Sequence, residues 1–173
     1  MPPEIERRFI AAPKVEGGQL VGLAAPYNTE TRIGDFNERI APGAFTRTLA
    51  NQRDVLALAD HDSTRVLGRT SSGSLSLRET AKGLEYSLKL PSTSVGNDLR
   101  ELAARGDLGG VSIGFRAVRD TWQGDVRTLE EIELHEISIV QAWPAYPDTS
   151  VALRSRASGV IRDSRAMWLE TVK

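Results

Sequence analysis

Apolar residues along this chain recur with period two more often than with period 3.6. Residues 74–78 (Ser-Leu-Ser-Leu-Arg) alternate cleanly, and so do 84–90 (Leu-Glu-Tyr-Ser-Leu-Lys-Leu), with Ala81, Lys82 and Gly83 between them as a hairpin signal. Apolar runs at 19–25, closed by Pro26, and at 54–60 predict two more buried strands. Segments 110–118 and 126–140 are further strand candidates. Helical spacing is confined to two places. Over 95–105, Val95, Leu99, Leu102 and Ala103 share one face and Gly106 is a natural stop. A shorter helix is expected over 42–50, with Pro42 in its first turn. The pattern predicts a mainly β protein with flanking helices (α+β). Short strands separated by turn signals predict a closed or rolled antiparallel β-barrel. After Pro147 the apolar pattern weakens. Residues 154–173 carry Arg154, Arg156, Arg162, Arg165 and Lys173 against Asp163 and Glu170. They read as a tail or docking segment following one domain over 1–153.

Composition narrows the chemistry. The chain has 173 residues, an apolar fraction of 40% and a net charge of −1, which fits one ordinary globular domain. So balanced a charge gives no general attraction to nucleic acid or an anionic membrane. Trp122, Trp143 and Trp168 are scattered and not interleaved with basic residues, so no specific nucleic-acid partner is expected. No apolar run approaches the ~18 residues of a membrane span, and the first residues lack the apolar stretch of a signal peptide. A soluble, intracellular protein is expected. The absence of cysteine excludes disulfides, thiolate metal sites and cysteine nucleophiles. Only His61 and His135 offer imidazole, and their spacing matches no local metal motif, so neither metal nor cofactor is expected.

Three segments carry candidate chemistry. In Gly110-Val111-Ser112-Ile113-Gly114-Phe115-Arg116, a strand puts Val111, Ile113 and Phe115 on one face and Ser112 on the other. The same-face neighbours of Ser112 are Gly110 and Gly114, so its hydroxyl would stand on cleared ground that a peptide backbone can approach. A bulged strand with a surface serine is the plain alternative. A serine hydroxyl needs a base within hydrogen-bond reach to act as a nucleophile. His61 stands at the end of the 54–60 strand between Asp60 and Asp62, as a base or as a solvated loop histidine with acidic neighbours. In 132–140, period two places Ile132, Leu134, Glu136, Ser138 and Val140 on one face, and Glu133, His135, Ile137 and Ile139 on the other. A charge on so apolar a strand needs a partner. Either Glu136 or His135 can orient the base, or the carboxylate simply satisfies backbone amides or an arginine.

These segments, taken in order, resemble the prohead protease family of tailed phages, which is similar in fold to the herpesvirus maturation proteases, the assemblins. The matching stretches run from about residue 18 to 153. They are Gly22 to Asn28 (Gly-Leu-Ala-Ala-Pro-Tyr-Asn), Glu38 to Phe45, Leu58 to Asp62 with Leu67-Gly68-Arg69, and Gly83-Leu84. Gly106 to Phe115 and Leu134 to Val140 follow, and then Pro144 to Pro147. The resemblance implies a serine endopeptidase acting in the host cytoplasm, inside an assembling procapsid. Its substrate would be the major capsid protein or its scaffolding segment, and itself by autoproteolysis. A homo-oligomer is compatible with it, and no cofactor is implied. The family's histidine and serine fall on His61 and Ser112. The Glu of its Glu-hydrophobic-Ser-hydrophobic-Val signature falls on Glu136. The herpesvirus relatives use a second histidine in that role, which makes the adjacent His135 the alternative third member. On a regular strand the two point to opposite faces, so both reach His61 only if the strand bulges. Candidate oxyanion donors are the N–H groups flanking Ser112 and those of Gln141, Ala142 and Trp143. The competing readings are an inactive capsid-assembly scaffold on the same fold and a generic β-barrel binding module.

Overall fold

The structure is a computed structural model that describes residues 5–10 and 13–142. The expected tail, 154–173, and its boundary at 153 lie outside the described residues. In chain order the elements are β1 (Glu6–Ile10), β2 (Lys14–Glu16), β3 (Gln19–Pro26), β4 (Thr31–Ile33), β5 (Phe36–Ile40), α1 (Thr46–Ala50), β6 (Leu56–Ala59), β7 (Asp62–Arg69), β8 (Leu75–Thr80), β9 (Gly83–Leu88), α2 (Ser94–Arg105), β10 (Gly110–Gln123) and β11 (Val126–Val140). The mainly β expectation and both helices are found. The first turn proposed at Pro42 is instead a turn that precedes α1.

These strands form two sheets rather than one closed barrel. The larger has seven strands, ordered β1-β10-β11-β5-β4, with β6 on β11 and β7 on β6; the smaller runs β2-β3-β9-β8. Nor is the pairing all antiparallel. Both β5 and β6 run parallel to β11, along Val126–Leu129 and Glu136–Ile139 respectively. The cause lies in the crossover from β5 through α1 to β6, which returns the chain in the same direction along the same edge of β11. Between these two pairings the edge of β11 is capped by that crossover. The Ile132 N–H donates to the Ala44 carbonyl at 2.8 Å, the Thr48 hydroxyl donates to the Ile132 carbonyl at 2.7 Å, and the Leu134 N–H donates to Thr48 Oγ1 at 3.1 Å. Buried backbone groups need partners, and the turn before the short helix, together with Thr48 within the helix, supplies them.

One apolar core joins the sheets. Val111, Ile113, Phe115, Ile137 and Ile139 meet Leu20, Leu84, Tyr86 and Leu88, with Leu99 of α2 also packed in. At the start of α2 the Thr93 side chain accepts the Gly96 N–H, and at its end Gly106 adopts φ 75°, the left-handed cap that suits glycine. Several stretches that carried the family resemblance serve this framework. Tyr27 stacks on Phe45 at 6.3 Å between ring centroids. Glu79 accepts hydrogen bonds from the Tyr27 hydroxyl, the Phe45 N–H and the Thr46 hydroxyl, which ties the turn before α1 to β8. Burial and the Glu79 carboxylate push the Tyr27 phenol well above its usual pKa.

Charged β1 (Glu-Arg-Arg-Phe-Ile) escapes hydropathy patterning, yet it is a full strand on the edge of β10. One face of it is anchored by ion pairs. Arg8 bonds Glu38, which is only 4% exposed, at 2.5 Å, and Arg127 bonds both Glu6 and Glu38, at 2.7 and 3.1 Å. Charges at this depth persist because each is paired and hydrogen-bonded.

Candidate active site

His61 is positioned by a strained turn. Asp60 and His61 both have positive φ, 51° and 61°, a conformation that costs an L-residue roughly 1–2 kcal/mol. The surroundings hold it there. The Asp60 N–H donates to the Ile139 carbonyl at 3.0 Å, and Asp60 Oδ1 accepts the Gln141 N–H at 2.8 Å. The turn is thereby fastened to the end of β11, and strain of this kind concentrates at functional positions. Neither flanking carboxylate bonds the imidazole. Asp60 is taken by Gln141 and Arg65, and Asp62 accepts the Thr64 hydroxyl and N–H, which hold its pKa below the usual value.

The carboxylate that meets His61 comes from β11. His61 Nδ1 lies 2.6 Å from Glu136 Oε1, with the two side chains 17% and 13% exposed. A carboxylate can only accept, so Nδ1 carries the proton, and in the neutral imidazole Nε2 then keeps its lone pair. Arg7, presented by β1, places its Nε 3.7 Å from the same Glu136 oxygen. His135 turns elsewhere, with Nδ1 3.3 Å from Arg53 and Nε2 3.6 Å from Glu133. Burial, and then the charge on Arg53, lower its pKa.

The expected facing of β11 is wrong in one respect. Leu134 pairs with Phe115 in the core, whereas Glu136 pairs with Gly114, and the register shifts between them. The bulge adds one residue and changes the phase of alternation. Leu134 and Glu136 therefore point to opposite faces, and Glu136 shares the face of Ser112. The sequence does carry the signal, because the apolar phase jumps from Ile132 and Leu134 to Ile137 and Ile139.

Ser112 is the third residue of β10, between Phe9 on β1 and Ser138 on β11. It is 3% exposed, so it is not a surface serine. The ground beside it is occupied, contrary to expectation. A Cβ on Gly110 would meet the Ile10 carbonyl at 2.3 Å and the Phe9 ring at 2.4 Å, and one on Gly114 would meet Glu136 Cγ at 2.6 Å. The glycines make room for the protein's own side chains. Among the described residues no hydrogen bond joins Ser112 to His61, a looseness common before substrate binds. Of the expected oxyanion donors, the Gln141 N–H is engaged by Asp60, and Trp143 lies outside the described residues. The backbone around Ser112 is laddered to β1 on one side and β11 on the other. Arg7 and Phe9 also belong to this face. Hydropathy gives no sign of them, because charged β1 lacks a strand pattern. The described residues hold no cluster of three or more metal-ligating side chains.

A family model described as Caudovirus prohead serine protease matches residues 7–162. This chain belongs to the caudovirus prohead serine protease family. A relative within reach of direct comparison is the prohead protease of Enterobacteria phage HK97, 32% identical over 154 residues. That match takes in 84% of this chain and 65% of the HK97 protein, so the chain spans just under two thirds of that relative's length. Among solved structures, the capsid assembly protease of bacteriophage T4 superposes with a TM-score of 0.57 at 11% identity, over 83% of this chain and 99% of that one. At that identity the likeness is one of fold. Membership in the prohead serine protease family gives the buried Ser112 and the His61–Glu136 pair, on one sheet face, a chemical context.

Proposed function

We propose that this prohead serine protease family member is a serine endopeptidase that cleaves the major capsid protein, or its scaffolding segment, during procapsid maturation. The observation that carries this reading is the 2.6 Å bond from His61 Nδ1 to Glu136, on the sheet face that also bears Ser112. Ser112 is the nucleophile. As its Oγ bonds to the scissile carbonyl carbon, its proton passes to His61 Nε2, and Glu136 stabilises the imidazolium that forms. His61 then gives that proton to the departing amine as the C–N bond breaks, leaving an acyl ester on Ser112. A water molecule, deprotonated by the same imidazole, attacks the ester and restores the serine. Glu136 is the third member in preference to His135, which is engaged with Arg53 and Glu133.

The same proposal includes cleavage of the protein itself, homo-oligomerisation, and action inside the assembling procapsid in the host cytoplasm. Kinship with the herpesvirus assemblins also belongs to it, carried by the motifs around His61, Ser112 and Glu136. The test is co-expression with the cognate capsid protein and mass spectrometry of the products. Wild type should yield discrete fragments and Ser112→Ala none. Uncut capsid protein with both chains, in assembled shells, would favour an inactive assembly scaffold on the same fold.

A further inference from the structure

Ser138 occupies an unusual place for a hydroxyl. It is 0% exposed, and its buried Oγ has no hydrogen-bond partner among the described residues. A buried hydroxyl left unpaired is unfavourable, and native structures retain few of them. Alanine or valine would suit the position better if packing were all that mattered. Ser138 stands directly across the ladder from Ser112, and two residues after Glu136 on β11. On its other side it is in register with the buried Leu58 of β6, which offers no polar partner. Directly opposed residues of an antiparallel pair hold their Cβ atoms roughly 4.5–5.5 Å apart on one face. At that separation, rotation of either side chain between staggered wells brings the two hydroxyls together.

We propose that Ser138 is a positioning residue whose hydroxyl donates a hydrogen bond to Ser112 Oγ as the nucleophile is activated. The inference rests on the reading of Ser112 as the nucleophile. With Oγ accepting from Ser138, the Ser112 proton is directed toward His61 Nε2. As that proton leaves, charge builds on Oγ, and the donated bond strengthens because its acceptor becomes anionic. The bond is thus worth more in the transition state than in the resting protein, which is the condition for a rate effect. The resting structure keeps the donor buried, with no partner among the described residues, directly across the ladder from the residue where charge will develop.

The experiment measures the second-order rate of labelling by a fluorescent fluorophosphonate together with melting temperature, on the full chain. Ser112→Ala is the control. If it labels like wild type, or wild type does not label at all, the nucleophile assignment falls, and this inference with it. With that control silent and wild type labelled, Ser138→Ala should label roughly ten- to a hundredfold more slowly, the loss expected for one hydrogen bond to a charged group. Its melting temperature should be unchanged or raised, because an unpaired buried hydroxyl is removed. Ser138→Thr and Ser138→Val add the same bulk and differ by the hydroxyl alone, so Thr should label at least tenfold faster than Val. Wild-type labelling by Ser138→Ala would overturn the proposal. So would a lowered melting temperature, or equal rates for Thr and Val, each showing that the hydroxyl serves structure or nothing.

Discussion

Gly114 and Glu136 sit opposite one another across the β10–β11 ladder, and the carboxylate occupies the space where a side chain at 114 would stand. A Cβ on Gly114 would lie 2.6 Å from Glu136 Cγ and 2.7 Å from Oε1, the oxygen that bonds His61. Real Cβ atoms do not approach so closely, so the carboxylate would have to move. Gly114→Ala is therefore expected to displace it from Nδ1 and to lower turnover by at least tenfold while the sheet persists. Turnover on the proposed capsid substrate, with circular dichroism as the folding control, checks this. Undiminished turnover would show that Glu136 need not sit where it does.

Ser112 and His61 act as one unit in the proposed mechanism, so their losses should not multiply. Ser112→Ala should abolish cleavage and keep the fold, because it removes one hydroxyl. His61→Ala should be nearly as damaging, and the double variant hardly worse than either. Multiplicative losses in fragment yield would show two independent contributions.

Glu136→Gln and His135→Ala separate the two candidates for the third role. A carboxylate at 136 only accepts, which fixes the proton on His61 Nδ1, whereas an amide can donate and so hold the imidazole in the wrong tautomer. Turnover of Glu136→Gln should therefore fall by orders of magnitude. His135→Ala breaks contacts with Arg53 and Glu133 and should be mild. The opposite ranking, measured on the folded fraction, would transfer the role to His135. Full activity in both would leave a Ser-His dyad.

The protein should lose stability on acidification partly through His135. Its pKa is held below the ordinary value by burial and by Arg53 and Arg116, against Glu133 and Glu136, which favour the charged form. As pH falls through about 6.5, the unfolded chain binds a proton that folded His135 resists, so stability drops until the folded form is protonated too. His135→Gln should reduce the fall in melting temperature between about pH 7 and 5.5. Calorimetry in matched buffers reads the difference, and parallel curves for the two proteins would rule it out.

Much of this was legible from residue order. Alternation marked β8 and β9, because a strand with one buried face must repeat with period two, and 110–118 and 126–140 stood out as further strand candidates. The spacing of Val95, Leu99 and Leu102 marked α2, and Gly106 its end. Cysteine's absence and the scarcity of histidine narrowed the chemistry to His61 or His135, and the ordered motifs pointed to the family. Local pattern does not encode partners distant in sequence, and there the tertiary structure decided. Charged β1 became a strand because Arg8 finds Glu38 thirty residues away, and only then do Arg7 and Phe9 reach the face of Ser112. The larger sheet became mixed because β11 is long enough to take β5 and β6 in succession, with Thr48 capping the edge between them. The choice between Glu136 and His135 as neighbour of His61 turned on one bulge, since an extra residue reverses the facing of every side chain beyond it.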